Sequence, residues 1–129
     1  MFKKIIFSTC GILLLTGCNT TGINKTMLAG QTQRLTFYTS LNADCTSNGV
    51  TTVRVVSGPS NGSVSMVNGR GHPSYAQSNQ RYHCNAHSVP GVIANYKPNA
   101  GFRGSDSVTL EAFFPSGNTG ITTYNITVR

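Results

Sequence analysis

A chain of 129 residues with 38% hydrophobic composition is expected to form one domain and not two independent cores. Only 10% of its residues are charged and just three are acidic (Asp44, Asp106 and Glu111), which disfavours paired-carboxylate catalysis and an oxygen-rich calcium cage. Ala, Leu, Glu and Lys are sparse beyond the first thirty positions while Gly, Ser, Thr and Asn abound, which argues against an all-helical fold.

The chain opens with Lys3 and Lys4, followed by Ile5-Ile6-Phe7 and Gly11-Ile12-Leu13-Leu14-Leu15. A positive start leading into an apolar run too short to serve as a permanent span reads as a secretory signal over residues 1–17. The run closes on Leu15-Thr16-Gly17-Cys18, which resembles the lipobox of bacterial lipoproteins. That resemblance implies cleavage before Cys18, a diacylglycerol on its sulfur and an acyl chain on its new amino group. At about 0.8 kcal/mol per buried CH₂, two or three chains hold a protein on a membrane durably. Asn19 stands where an Asp would, in enterobacterial sorting, favour the inner membrane, so the resemblance points to the outer membrane.

Residues 18–32 are polar, carry Gly22 and Gly30, and keep neither a strand nor a helix period. They are expected to be a flexible tether behind the lipidated Cys18, ahead of a domain at 33–129. Once the leader is removed, eight Lys and Arg face three acids, a net charge of about +5. The cations stand singly, with no run to track a phosphate backbone, so nucleic acid is not an expected partner. Of the four cysteines, Cys10 leaves with the leader and Cys18 carries the anchor. Cys45 and Cys84 remain in an oxidising compartment, and a disulfide between them is expected.

Beyond position 32 apolar residues alternate, as in strands with one buried face. The segments are Leu35/Phe37, Val53/Val55, Val64/Met66, Val92/Ala94/Tyr96, Val108/Leu110/Ala112/Phe114 and Tyr124/Ile126/Val128. Turn chemistry falls between them, at Gly58-Pro59-Ser60-Asn61-Gly62, Asn68-Gly69, Pro98-Asn99-Ala100-Gly101 and Pro115-Ser116-Gly117-Asn118. Short strands at this spacing predict an all-β antiparallel sandwich, with no helix longer than a turn.

Pro59-Ser60-Asn61-Gly62-Ser63-Val64, followed by Tyr96-Lys97-Pro98-Asn99-Ala100-Gly101-Phe102-Arg103-Gly104-Ser105-Asp106-Ser107-Val108 and a Thr-rich last strand, resembles the bacterial Ig-like and cadherin-like repeats. The resemblance covers roughly residues 50–129. It implies a seven-strand Greek-key Ig-like sandwich of the kind used in stalks, adhesins and binding modules. Two departures bear on function. The calcium-binding acidic dipeptides of tandem repeats are missing, and an insertion of about twenty residues at 68–91 separates the Val64 and Val92 strands. The insertion holds Cys84, His72, His83, His87, Arg70, Tyr75, Arg81 and Tyr82. The disulfide is expected to pin this insertion to the sandwich.

Gly58-Pro59-Ser60-Asn61-Gly62 satisfies the pattern of a nucleophile elbow, but a strand follows it where that device needs a helix, so it reads as a hairpin turn. His83-Cys84-Asn85-Ala86-His87, with His72, offers ligands that zinc or copper accepts. A disulfide partner for Cys84 removes the thiolate, so neither metal nor other cofactor is expected. Asp106 is expected to accept backbone N–H bonds in a turn, and Glu111 to face solvent. Phe113 and Tyr38 are out of phase with the core residues. They are either exposed contact aromatics or are covered where the insertion folds over the second face.

No catalytic residue is expected, and the protein does not read as an enzyme. The expected role is that of an outer-membrane lipoprotein presenting a non-catalytic module for adhesion, envelope or secretion-complex assembly, or polysaccharide contact. Arg70, Tyr75, Arg81 and Tyr82 are the candidate partner-binding residues. The alternative is a small periplasmic lipoprotein inhibitor of a hydrolase.

Overall fold

The alternating segments form seven strands, β1 (Ile23–Met27), β2 (Gln33–Tyr38), β3 (Thr52–Ser57), β4 (Gly62–Gly71), β5 (Val89–Pro98), β6 (Gly104–Phe113) and β7 (Thr119–Val128). They lie in a computed structural model that describes residues 22–129. The leader at 1–17 and the lipidation site Cys18 lie outside the described residues. One sheet has the order β1-β7-β6-β3 and the other β2-β5-β4. The chain therefore crosses between sheets on each of its first three connections and again between β5 and β6, a Greek-key sandwich. The single helical element among the described residues is a 3-10 turn at Tyr82–Ala86.

Period-two burial builds the core. Val108, Leu110 and Ala112 of β6 and Tyr124, Ile126 and Val128 of β7 point inward and are all buried. All of them but Ala112 cluster with Leu35, Ala94 and Tyr96 from the other sheet. The intervening residues of β6 and β7, among them Thr109 and Thr123, face outward, where their hydroxyl oxygens lie 2.8 Å apart.

Three expectations need correction. The tether predicted over 18–32 is interrupted by a strand within its described part. Ile23–Met27 is strand β1, paired in parallel with β7 from Ile23↔Tyr124 to Met27↔Val128, and Met27 is buried in the core. A five-residue edge strand with one inward apolar anchor carries too little periodicity to stand out in a sequence. The pairing is also the one parallel pair among the described strands of an otherwise antiparallel sandwich.

The second correction concerns Phe37 and Tyr38. A bulge between Arg34 and Thr36 inverts the alternation of β2. Leu35 remains in the main core, but Tyr38 turns inward beside it and Phe37 turns outward. The hydroxyl oxygen of Tyr38 lies 3.4 Å from that of Tyr124, and burial together with this contact raises its pKa. Third, the insertion is shorter than 68–91. The β4–β5 ladder continues without a break from Gly62↔Pro98 to Gly71↔Val89, which leaves 72–88 outside it.

Asp106 is buried and joins two segments distant in sequence. Its Oδ1 accepts the backbone N–H of Ser60 at 2.9 Å and its Oδ2 that of Asn61 at 3.0 Å, while the buried Tyr96 hydroxyl donates to Oδ2 at 2.7 Å. The expectation of a turn-tying carboxylate holds, although the main turn tied is the distant 58–61 connection. Burial pushes the Asp106 carboxyl up, but the bonds from Tyr96, Ser60, Ser107 and Asn61 outweigh it and hold the pKa below the usual range. The Tyr96 phenol is displaced upward, first by burial and then by its bond to Asp106.

A depressed folded-state pKa contributes stability that is complete above the unfolded value, near 4, and is lost as pH falls through the folded value. Asp106→Asn is expected to cost about 2–3 kcal/mol at pH 7, since charge-assisted bonds to buried donors are lost. In urea titrations at stepped pH, the wild-type and variant stabilities should begin to converge only as pH falls below about 4 and go on converging through the lower folded value.

Candidate functional site

The connections at 39–51, 72–88 and 114–118 gather at one end of the sandwich. Pro115 would contact a Cβ on Gly49 at 3.0 Å, and Phe114 lines a hollow with Pro73 and Tyr75. The opposite end carries 28–32, 58–61 and 99–103, where the Asn99 N–H donates to the Asn61 carbonyl at 2.8 Å.

The insertion is bound down. Cys45 and Cys84 form the expected disulfide, with Cα atoms 5.5 Å apart. Cys84 is wholly buried and forms a second small core with Leu41 and Val89, against which Phe37, Cys45 and Tyr75 pack. The outward turn of Phe37 thus has a purpose, since its ring sits under the insertion and against Gly71 and Gly91. A Cβ on Gly91 would lie 2.6 Å from the ring, so the seat requires glycine. Of the two out-of-phase aromatics, Tyr38 belongs to the main core, while Phe113 remains partly exposed with the Arg54 guanidinium 5.9 Å from its ring centre. Cys45 adopts the left-handed backbone (φ 70°), a strained choice for a non-glycine residue. The loop around it is closed by Asp44, whose Oδ1 accepts from the Thr46 hydroxyl at 2.6 Å and the Thr46 N–H at 3.1 Å. These bonds, the hydroxyl's first, hold the Asp44 pKa down.

The four candidate contact residues have different surroundings. Arg70, at the end of β4, is exposed and its Nη2 donates to the Ser88 carbonyl at 2.7 Å. Tyr75 is half-buried against the second core, and its backbone N–H and carbonyl bond the Asn85 side-chain amide at 2.9 and 3.0 Å, as a strand neighbour would. Arg81 Nε donates to the Leu41 carbonyl at 2.7 Å and so ties the insertion to the 39–51 loop. Tyr82 is 47% exposed. The insertion therefore spends Tyr75 and Arg81 on its own shape and displays Tyr82, while Arg70 at the end of β4 is exposed beside it and bonded to its Ser88 carbonyl.

The histidines take ordinary positions. His72 Nδ1 lies 3.0 Å from the Asn85 carbonyl oxygen. His83 and the two sulfurs of Cys45 and Cys84 have donor atoms within 4.8 Å of one another, but the sulfurs are bonded together and offer no thiolate. Ser60 lies in the turn between two strands, with its N–H on Asp106, and not at a strand-to-helix corner. Glu111 points outward as expected, yet Arg54 from the adjacent strand covers it at 2.7 Å, leaving its side chain 15% exposed.

Sequence reading missed a cleft of about 440 Å³ beside the stapled end. It lies between the 47–51 segment, Asn68 and Arg70 of β4, and Val92 of β5. Thr51 lines it, and the buried Thr51 hydroxyl has no hydrogen-bond partner among the described residues. No local motif announces the cleft, because it arises where a loop stands off from an edge strand.

Comparison with protein-family models, with curated proteins and with solved structures returns no match.

Removing the cross-link with Cys45→Ala and Cys84→Ala frees a loop with a sequence separation of 39. The chain-entropy account puts the loss at about 4 kcal/mol. Urea denaturation should show that loss. Hydrogen exchange should show amides of 72–88 opening well before those of β6 and β7.

Proposed function

We propose that this protein is an outer-membrane lipoprotein, acylated at Cys18, that displays an Ig-like β-sandwich as a non-catalytic interaction module of the bacterial envelope. Its tasks would be adhesion, assembly of a surface or secretion complex, or contact with envelope polysaccharide. The observation that carries the reading is the Leu15-Thr16-Gly17-Cys18 sequence behind an apolar run, with the first strand beginning at Ile23. Cys18 stands five positions before Ile23, at most about 17 Å of extended chain, so a lipid there would keep the sandwich close to the bilayer surface.

Side-chain commitments support a non-catalytic role. Asp106 is taken up by Tyr96 and the 58–61 turn, Glu111 by Arg54, and Asp44 by Thr46. A binding role is favoured by the way a rigid scaffold and a disulfide hold Arg70 and Tyr82 out toward solvent at one end. The net charge of about +5 after cleavage suits partners carrying negative charge and makes association weaken as salt rises.

Metabolic labelling with palmitate should mark the full-length protein in cells and leave Cys18→Ser unmarked, with the variant lost from the outer-membrane fraction. Crosslinking in intact cells, with partners identified by mass spectrometry, should give adducts that decline for Arg70→Ala and Tyr82→Ala. Unlabelled wild-type protein would overturn the anchor, and adducts indifferent to both substitutions would overturn the role of the stapled end.

A further inference from the structure

A sandwich has four edge strands, and each presents unpaired backbone N–H and C=O groups that can recruit another chain unless it is blunted. Three edges here are blunted. β1 has only five residues and carries Lys25. β2 is broken by the bulge between Arg34 and Thr36, and β3 by one between Val55 and Ser57. β4 is not blunted. It runs ten residues in unbroken register and bears no charge before Arg70. It belongs to the same margin of the sandwich as β3, to which the short 58–61 connection joins it. Along that margin Val50, Val55, Val56 and Val67 are each at least 40% exposed, and Val64 and Met66 of β4 are only partly covered. The 440 Å³ cleft opens at the far end of β4, with Arg70 on its wall and no carboxylate among its lining residues.

We propose that the β4 edge accepts an extended acidic segment of a partner protein as an added strand. Its backbone pairs with Gly62–Gly71, its apolar side chains cover the valine margin, and a carboxylate enters the cleft toward Arg70. Main-chain bonds supply affinity in this mode and side-chain pockets supply specificity. Charge selects the occupant. Arg70 is free of any acid, and the described cations outnumber the described acids eight to three, so a second copy of this chain is repelled and an acidic strand is attracted. The proposal rests on the reading of the protein as a binding module and is independent of its lipid.

The test presents a display library of random ten-residue peptides to the full-length protein in detergent. The expected selection is of peptides with β-branched residues at alternate positions and an Asp or Glu, whose addition perturbs the NMR amide signals of Gly62–Gly71. N-methylation of alternate peptide amides should weaken binding at least tenfold in one register and leave it unchanged in the other, a probe that does not depend on a variant folding. Arg70→Glu should also weaken binding at least tenfold, with Arg70→Lys retaining most of it. Equal tolerance of both N-methyl registers, or failure to enrich any peptide, overturns the proposal. So does a footprint at Tyr75, Arg81 and Tyr82, which would leave the binding-module reading standing. A dimer that Ser65→Glu dissolves also overturns it, because the edge then pairs with its own copy.

Discussion

One buried carboxylate joins the two segments on which the sandwich turns. Asp106 opens the inward-facing series of β6, receives the Tyr96 hydroxyl from the opposite sheet, and accepts two successive amides from the connection between β3 and β4. A buried charge is costly unless its lone pairs are filled, and here they are filled by donors from three different parts of the chain. The arrangement fixes the spacing between the sheets where Tyr96 spans them. It also fixes the start of β4, and hence the register of the ten pairs that follow. The long unbroken edge and the position of Arg70 at its end both depend on where that strand begins.

Much of the architecture was legible because inward residues of β5, β6 and β7 alternate strictly and turn-forming residues separate them. Val108, Leu110, Ala112, Tyr124, Ile126 and Val128 are buried as their spacing implies. Legibility failed where the backbone departed from a two-residue period. The bulge in β2 exchanges the faces of Phe37 and Tyr38, and nothing in Arg-Leu-Thr-Phe-Tyr marks the extra residue. β1 escaped notice because an edge strand with a single buried anchor resembles a linker. The ladder beyond Asn68 was hidden by Gly69, Gly71 and Gly91, which read as loop residues but serve to seat Phe37 and allow close packing.

The interaction surface was legible only in composition. Arginines and tyrosines concentrated in one insertion point to contact, but hydrogen bonds decide which of them are available, and those depend on the folded loop. Asn85 engages the Tyr75 backbone from both sides, Arg81 caps the Leu41 carbonyl and Arg70 the Ser88 carbonyl, so three of the four candidates help to hold the shape in which Arg70 and Tyr82 reach solvent. The cleft and the open margin could not have been read at all. They result from the stand-off between the 47–51 segment and β4, a relation between distant parts of the chain with no periodic trace.

The parallel pairing of β1 with β7 has a mechanical consequence. Tension applied at the residue ahead of Ile23, along the strand axis, loads the hydrogen bonds from Ile23↔Tyr124 to Met27↔Val128 side by side in shear. A hairpin pulled open from its ends gives up its bonds singly, whereas this patch must yield as a unit. Met27, buried beside Val128, acts as a cleat at its end. The domain can thus bear a load between its leading segment and whatever grips its body without the first strand peeling away.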